Sequence, residues 1–209
     1  MSPKHPRDPE ATRSALLEAA EQVFLKKGFG NASLSEIAKL AGITKSLIHH
    51  YFGSKEGLWR EVKVQRFTHY ADRQMDMLRE ARPSAELLRA SMAFYFDFLR
   101  RNPQIVRVLA WMFLEQDQQE CLDIDRQLIE MGVAKIREVQ ADGQLRDDID
   151  PRFILFVFIG LCQNWFQDKG HFLVSFGTDG LPEQLDEAYL GAVIKIFFEG
   201  LLPRTGRDQ

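Results

Sequence analysis

Between Ser33 and Lys55 the chain gathers hydroxyls, cations and imidazoles at short spacing: Ser33, Thr44, Lys45, Ser46, His49, His50, Tyr51 and Lys55, with the apolar Leu47 among them. Groups of this kind donate to phosphate oxygens and to base edges, so the chemistry on offer is nucleic-acid contact. Bond-breaking chemistry has little to work with elsewhere. No nucleophile has a partnered base, no glycine-rich loop is placed to cradle phosphate, and no HExxH occurs. Acidic pairs such as Asp147-Asp148 read as solvated linker. His49 and His50 are adjacent on a helix and do not converge on one ion as an i,i+4 pair does. No catalytic residue, metal or cofactor is expected.

Two short helices broken at Gly42 would hold these groups. Leu34, Ile37, Ala38 and Ala41 form the inner face of one, capped by Ser33 or Ser35. Gly42 supplies a left-handed turn, Ile43 plugs the corner, and the small Ala38 permits a steep crossing. Thr44 caps the next helix, from Lys45 to about Tyr51. At about 100° per residue, Thr44, Ile48, Tyr51 and Phe52 turn towards the core. Ser46, Leu47, His49 and His50 turn outward, with Lys45 at the flank, as a helix entering a major groove requires. Ser54 caps a following helix whose first N–H groups, with Lys55, suit a phosphate.

A preceding helix starts with Asp8 as cap and Pro9 at its first position. It carries an apolar stripe of Ala15, Leu16, Ala19, Ala20, Val23 and Phe24, and Gly28 ends it. Beyond Lys55 the breaks fall at Arg82-Pro83-Ser84, Asn102-Pro103, Ala141-Asp142-Gly143 and Asp150-Pro151. They predict helices over about 55–80, 84–101, 104–115, 120–140 and 151–168, then a loop over 170–182 and a last helix over 183–201. No alternating strand pattern interrupts them, so the fold class is all-α, with about nine helices. Residues 9–54 would be the helix-turn-helix domain and 55–202 a helical ligand-binding and dimerisation domain.

Composition agrees with a nucleic-acid-binding head on a different kind of body. Net charge is −3, yet residues 1–66 carry 11 Lys+Arg against 7 Asp+Glu, whereas the remainder carries 16 against 23. Only the head suits phosphates. No apolar run follows Lys4 and Arg7 as in a signal peptide, and the longest, Phe153 to Cys162, is about half a membrane span. A cytoplasmic protein without membrane contact is expected. Cys121 and Cys162 fit no metal or redox spacing and read as packing thiols. The Phe153–Cys162 run is apolar all round, so both faces of its helix need cover. With the last helix it predicts an isologous four-helix interface through Phe153, Phe156, Val157, Gly160, Tyr189, Val193 and Phe197. The competing reading is a central helix of a monomeric core.

The run Asn31-Ala-Ser-Leu-Ser-Glu-Ile-Ala-Lys-Leu-Ala-Gly-Ile-Thr-Lys45, followed by Tyr51-Phe-Gly-Ser-Lys-Glu56, resembles the N-terminal domain of the TetR family of bacterial transcription regulators. Ala19-Ala20, Phe24 and Gly28-Phe29 extend the likeness over about residues 10–60. The resemblance implies a homodimeric, ligand-responsive DNA-binding regulator, most often a repressor, on a palindromic operator. Carried onto matching positions, it implies phosphate contacts from Ser33, His49, Tyr51 and Lys55, and groove contacts from Thr44, Lys45, Ser46 and Leu47. This chain has Leu47 where the family usually has Thr, and His49 where it usually has Tyr. The family's pocket among the middle helices implies a small apolar or aromatic effector. Tyr95, Phe98, Trp111 and Trp165 are its expected wall, with Gln163 and Asn164 as polar anchors. An activator, a ligand-independent regulator and a small-molecule carrier without DNA function are the alternatives.

Overall fold

The computed structural model describes residues 8–114, 123–176 and 182–203. Nine helices occupy the described residues, with no strand: α1 Pro9–Asn31, α2 Leu34–Leu40, α3 Lys45–Phe52, α4 Lys55–Glu80, α5 Ala85–Arg101, α6 Pro103–Leu114, α7 Asp123–Ala141, α8 Pro151–Phe176 and α9 Pro182–Leu201. Their starts follow from capping side chains. Asp8, Ser33, Ser54, Ser84 and Asp150 accept from Glu10 N, Glu36 N, Gly57 N, Leu87 N and Arg152 N, each satisfying an otherwise orphaned donor. Two helix ends close with a glycine in the left-handed region. Gly42 (φ 66°) and Gly143 (φ 70°) each donate three residues back, while the next residue donates five back, which satisfies the last carbonyls.

Four local expectations need correction. Gly28 does not end α1: its φ of 77° and ψ of 169° kink the helix, which resumes to Asn31. The loop expected from residue 170 is helical to Phe176, because a lone Gly170 costs only about 1 kcal/mol against Ala in a helix interior. Residues 177–181 lie outside the described residues. Thr44 does not face the core: it is exposed, with the extended φ of −89° and ψ of 148° of an N-cap. The helical wheel therefore does not apply to it. Nor does its side chain cap α3; Thr44 Oγ1 and Ser46 Oγ share a hydrogen bond at 3.0 Å.

The chain forms two compact units. The first runs to Thr68 and rejoins the chain at Arg107; the second takes His69–Val106 and the rest beyond Glu120. In the first, α1 packs on α2 and α2 on α3 around Leu16, Phe24, Ile37, Ile48, Leu58 and Val62, all buried. The Phe24 and Trp59 rings lie 4.9 Å apart. Arg13 pairs with Glu61, and Arg66 with Glu21, tying α1 to α4.

In the second unit, α8 packs against α5 and α7, and α9 against α5. Tyr70, Met92, Tyr95, Phe96, Ile136, Ile154, Phe158 and Phe198 fill the core. Asp186 of α9 is buried but well served: Trp165 Nε1 donates to it at 2.7 Å and Lys169 Nζ at 2.9 and 3.1 Å. Cys162 is a buried thiol, as expected of a packing residue, and burial pushes its pKa up to about 12. Cys121 lies outside the described residues.

Candidate nucleic-acid interface

The reading helix is pinned from below. Ile48 is fully buried, and the turn before it is held by Gly42 N–H to Lys39 O at 3.2 Å and Ile43 N–H to Ala38 O at 3.0 Å. Around that anchor Thr44, Lys45, Ser46, His49 and His50 are exposed, while Leu47 and Tyr51 are half-buried. Ser33, at the start of α2, is exposed as well, although its hydroxyl already accepts from Glu36 N at 3.1 Å. Seven of the nine expected contact residues thus lie on α3 or at its cap.

Two expected phosphate contacts carry internal commitments. His49 Nδ1 lies 3.0 Å from Gly53 O. A carbonyl oxygen only accepts, so Nδ1 carries the hydrogen and Nε2 of the neutral ring is an acceptor. His49 can then donate to phosphate only as the imidazolium. Lys55 Nζ donates to Gly30 O at 3.2 Å and stands 4.5 Å over the Phe29 ring. It ties the start of α4 to the end of α1 as well as offering charge. The N–H groups there are not all free either. Gly57 N donates to Ser54 Oγ at 3.0 Å, and Glu56 has its carboxyl pKa lowered, chiefly by its own backbone N–H and then by the Ser54 hydroxyl.

Gly57 has a role that its place as the N3 residue after Ser54 does not announce. A Cβ built there would lie 2.1 Å from Phe52 O, closer than any real side chain sits to backbone. Its absence allows α4 to start directly against the end of α3. The clash arises across two elements, so local spacing carried no signal of it. Arg13, with its guanidinium 5.5 Å from the Phe52 ring, was also missed for lack of local pattern.

The expected effector wall is only partly assembled. Gln163 Nε2 donates to Tyr95 Oη at 2.7 Å, and Tyr70 links Tyr95 and Phe98 with ring separations of 5.4 and 4.4 Å. Burial raises the Tyr70 and Tyr95 phenol pKa values. Trp165 instead stacks on Tyr189 at 4.2 Å, and Asn164 is exposed. Trp111 belongs to the first unit, where its indole N–H donates to Leu25 O at 3.4 Å. Of the expected pairing residues, Phe153 and Phe156 are 66% and 75% exposed and Val157 is exposed, while Gly160 and Phe197 are half-buried. Val193 is buried within the protomer, and Tyr189 donates to Leu161 O at 2.8 Å. Among the described residues no His, Cys, Asp and Glu side chains gather to hold a metal, and no helix is long and apolar enough to cross a membrane.

The family described as "Bacterial regulatory proteins, tetR family" matches residues 16–62, from α1 into α4, and "Tetracyclin repressor-like, C-terminal domain" matches 92–192. The chain belongs to the TetR family. It is a DNA-binding transcription regulator, with α2 and α3 as its helix-turn-helix. This TetR-family chain is 28% identical over 205 residues to the HTH-type transcriptional repressor NicS of Pseudomonas putida, covering 92% of this chain and 93% of that one. It is 27% identical over 190 residues to the HTH-type transcriptional repressor SCO4008 of Streptomyces coelicolor, covering 87% and 95%. In fold it is similar to AibR, crystallised in complex with isovaleryl coenzyme A and operator DNA. That likeness has a TM-score of 0.67 and 19% identity, over 90% of this chain and 98% of that one.

Proposed function

We propose that this regulator is a repressor that binds a palindromic operator as a homodimer in the cytoplasm and is released by a small apolar or aromatic effector. The observation that carries the DNA-binding part is the ring of exposed polar groups around buried Ile48 on α3. In that reading Thr44, Lys45, Ser46 and Leu47 meet base edges or the groove, and Ser33, His49, His50, Tyr51 and Lys55 face phosphates. Two heads on a twofold axis need half-sites about one helical turn, roughly 34–36 Å, apart. The exposed Phe153, Phe156 and Val157, at i, i+3 and i+4 on α8, support pairing, since a protomer gains by covering such a stripe. Residues 9–54 serve as the reading head and 55–202 as the effector and pairing body. The names of NicS and SCO4008 favour repression.

The test is selection of genomic DNA fragments by the purified protein. A short inverted repeat common to the bound fragments is expected, with two chains per duplex by sedimentation. Fragments without a shared repeat, or one chain per duplex, contradict the proposal.

A further inference from the structure

In an unbroken helix, side chains five residues apart stand about 140° apart around the axis. Phe24 and Phe29 are such a pair on α1, yet their rings stack 5.9 Å apart, because the kink at Gly28 lies between them. Phe24 is fully buried, and Trp59, 6.4 Å from the Phe29 ring, is nearly so. Phe29 itself is half-buried: its ring is held by the core of the head but reaches the surface. There the Lys55 ammonium stands over it at 4.5 Å and also donates to Gly30 O at 3.2 Å. A ring and a carbonyl on the resumed end of α1 thus hold one cation at the first residue of α4.

We propose that Phe29 is a positioning residue for DNA contact, holding the Lys55 ammonium in place before DNA arrives. This rests on the reading that Lys55 meets a phosphate. A lysine side chain free in water loses rotamer freedom when a partner fixes it, and that loss weakens binding. Here the Phe29 ring and the Gly30 carbonyl have taken the loss during folding. Neither holder carries a charge, so the cation keeps its full attraction for phosphate, which a carboxylate holder would have cancelled. An ammonium has three N–H donors, and Gly30 O takes one, so two remain for phosphate oxygens.

Binding of a labelled duplex of mixed sequence at low salt tests this, since phosphate contacts do not depend on sequence. Lys55→Ala should weaken binding and lower the slope of log affinity against log salt. Phe29→Leu keeps the cation and an apolar side chain but removes the ring, so it should weaken binding about threefold to tenfold at an unchanged slope. Phe29→Tyr keeps the ring and should bind as the wild type does. In the Lys55→Ala background Phe29→Leu should cost nothing further, because no ammonium is left to hold. Equal losses from Phe29→Leu in both backgrounds, or Phe29→Tyr as weak as Phe29→Leu, overturn the proposal and leave the Lys55 contact standing. Lys55→Ala with affinity and slope unchanged rejects that contact and any positioning role with it. Proton NMR of the wild type gives a reading that the folding of a variant cannot blur. The Lys55 ε-methylene signals should lie upfield of those of an exposed lysine, shifted by the ring, both free and on DNA. Signals at the exposed-lysine position overturn the proposal.

Discussion

The reading face of α3 and the core of the second unit use polar side chains in opposite ways. Around Ile48 the polar groups point outward, so they are available to a partner that the chain does not contain. In the second unit Tyr95 and Asp186 are turned inward and answered by the chain itself, Tyr95 by Gln163 and Asp186 by Trp165 and Lys169. The head is a rigid frame whose exposed side chains can change with little effect on folding. The body is a set of buried contacts in which one lost partner leaves another stranded. Mutations should therefore separate function from stability in the head and confound them in the body.

The largest effect is expected where that rule is inverted, at a head residue with no functional atom. Gly57→Ala drives a methyl into Phe52 O and should destabilise the first unit by about 3 kcal/mol or more, abolishing DNA binding. Hydrogen exchange should show protection lost in α1–α3 and kept in α8; protection retained in α3 would mean the approach is softer than 2.1 Å implies. Asp186→Ala is the counterpart in the body. It strands Lys169 and the Trp165 N–H and should cost about 3 kcal/mol in denaturant unfolding. A midpoint unchanged from wild type would place that cluster among contacts of no net value.

Smaller effects should come from the DNA-facing side chains, and those on α3 should leave unfolding untouched. Lys45→Ala should weaken operator binding and lower the slope of log affinity against log salt by about 2 per dimer, one contact from each head. Lys55→Ala should lower the slope and also loosen the head, because it releases Gly30 O. Equal unfolding midpoints for the two variants would show that the Gly30 contact holds nothing. The smallest effect is expected at His49, whose ring Gly53 O holds at Nδ1. His49→Gln should weaken operator binding a few-fold with the unfolding midpoint kept. Unchanged affinity would remove His49 from the contacts.

Much of this was legible in the sequence, and the exceptions share a cause. Asp8, Ser33, Ser54, Ser84 and Asp150 announced helix starts because a cap acts within three residues of itself. Gly42 announced the turn for the same reason. What escaped was decided between elements. Gly57 matters because of Phe52 O, and Trp111 joins the first unit through Leu25 O. The Gln74–Ser91 contact joins α4 to α5. Thr44 was misjudged through applying helical periodicity to a residue whose backbone is extended. The family resemblance supplied contact residues but not the commitments of Lys55 and His49, which depend on Gly30 and Gly53 carbonyls.

The central claim is that the outer face of α3 reads bases. Selection from a random duplex library with the wild type and with Leu47→Gln tests it most directly. Leu47 offers only apolar contact, suited to a thymine methyl, whereas glutamine can pair with adenine. The account predicts a changed preference at one position in each half-site, the rest of the motif being kept. An identical motif from both proteins would contradict it.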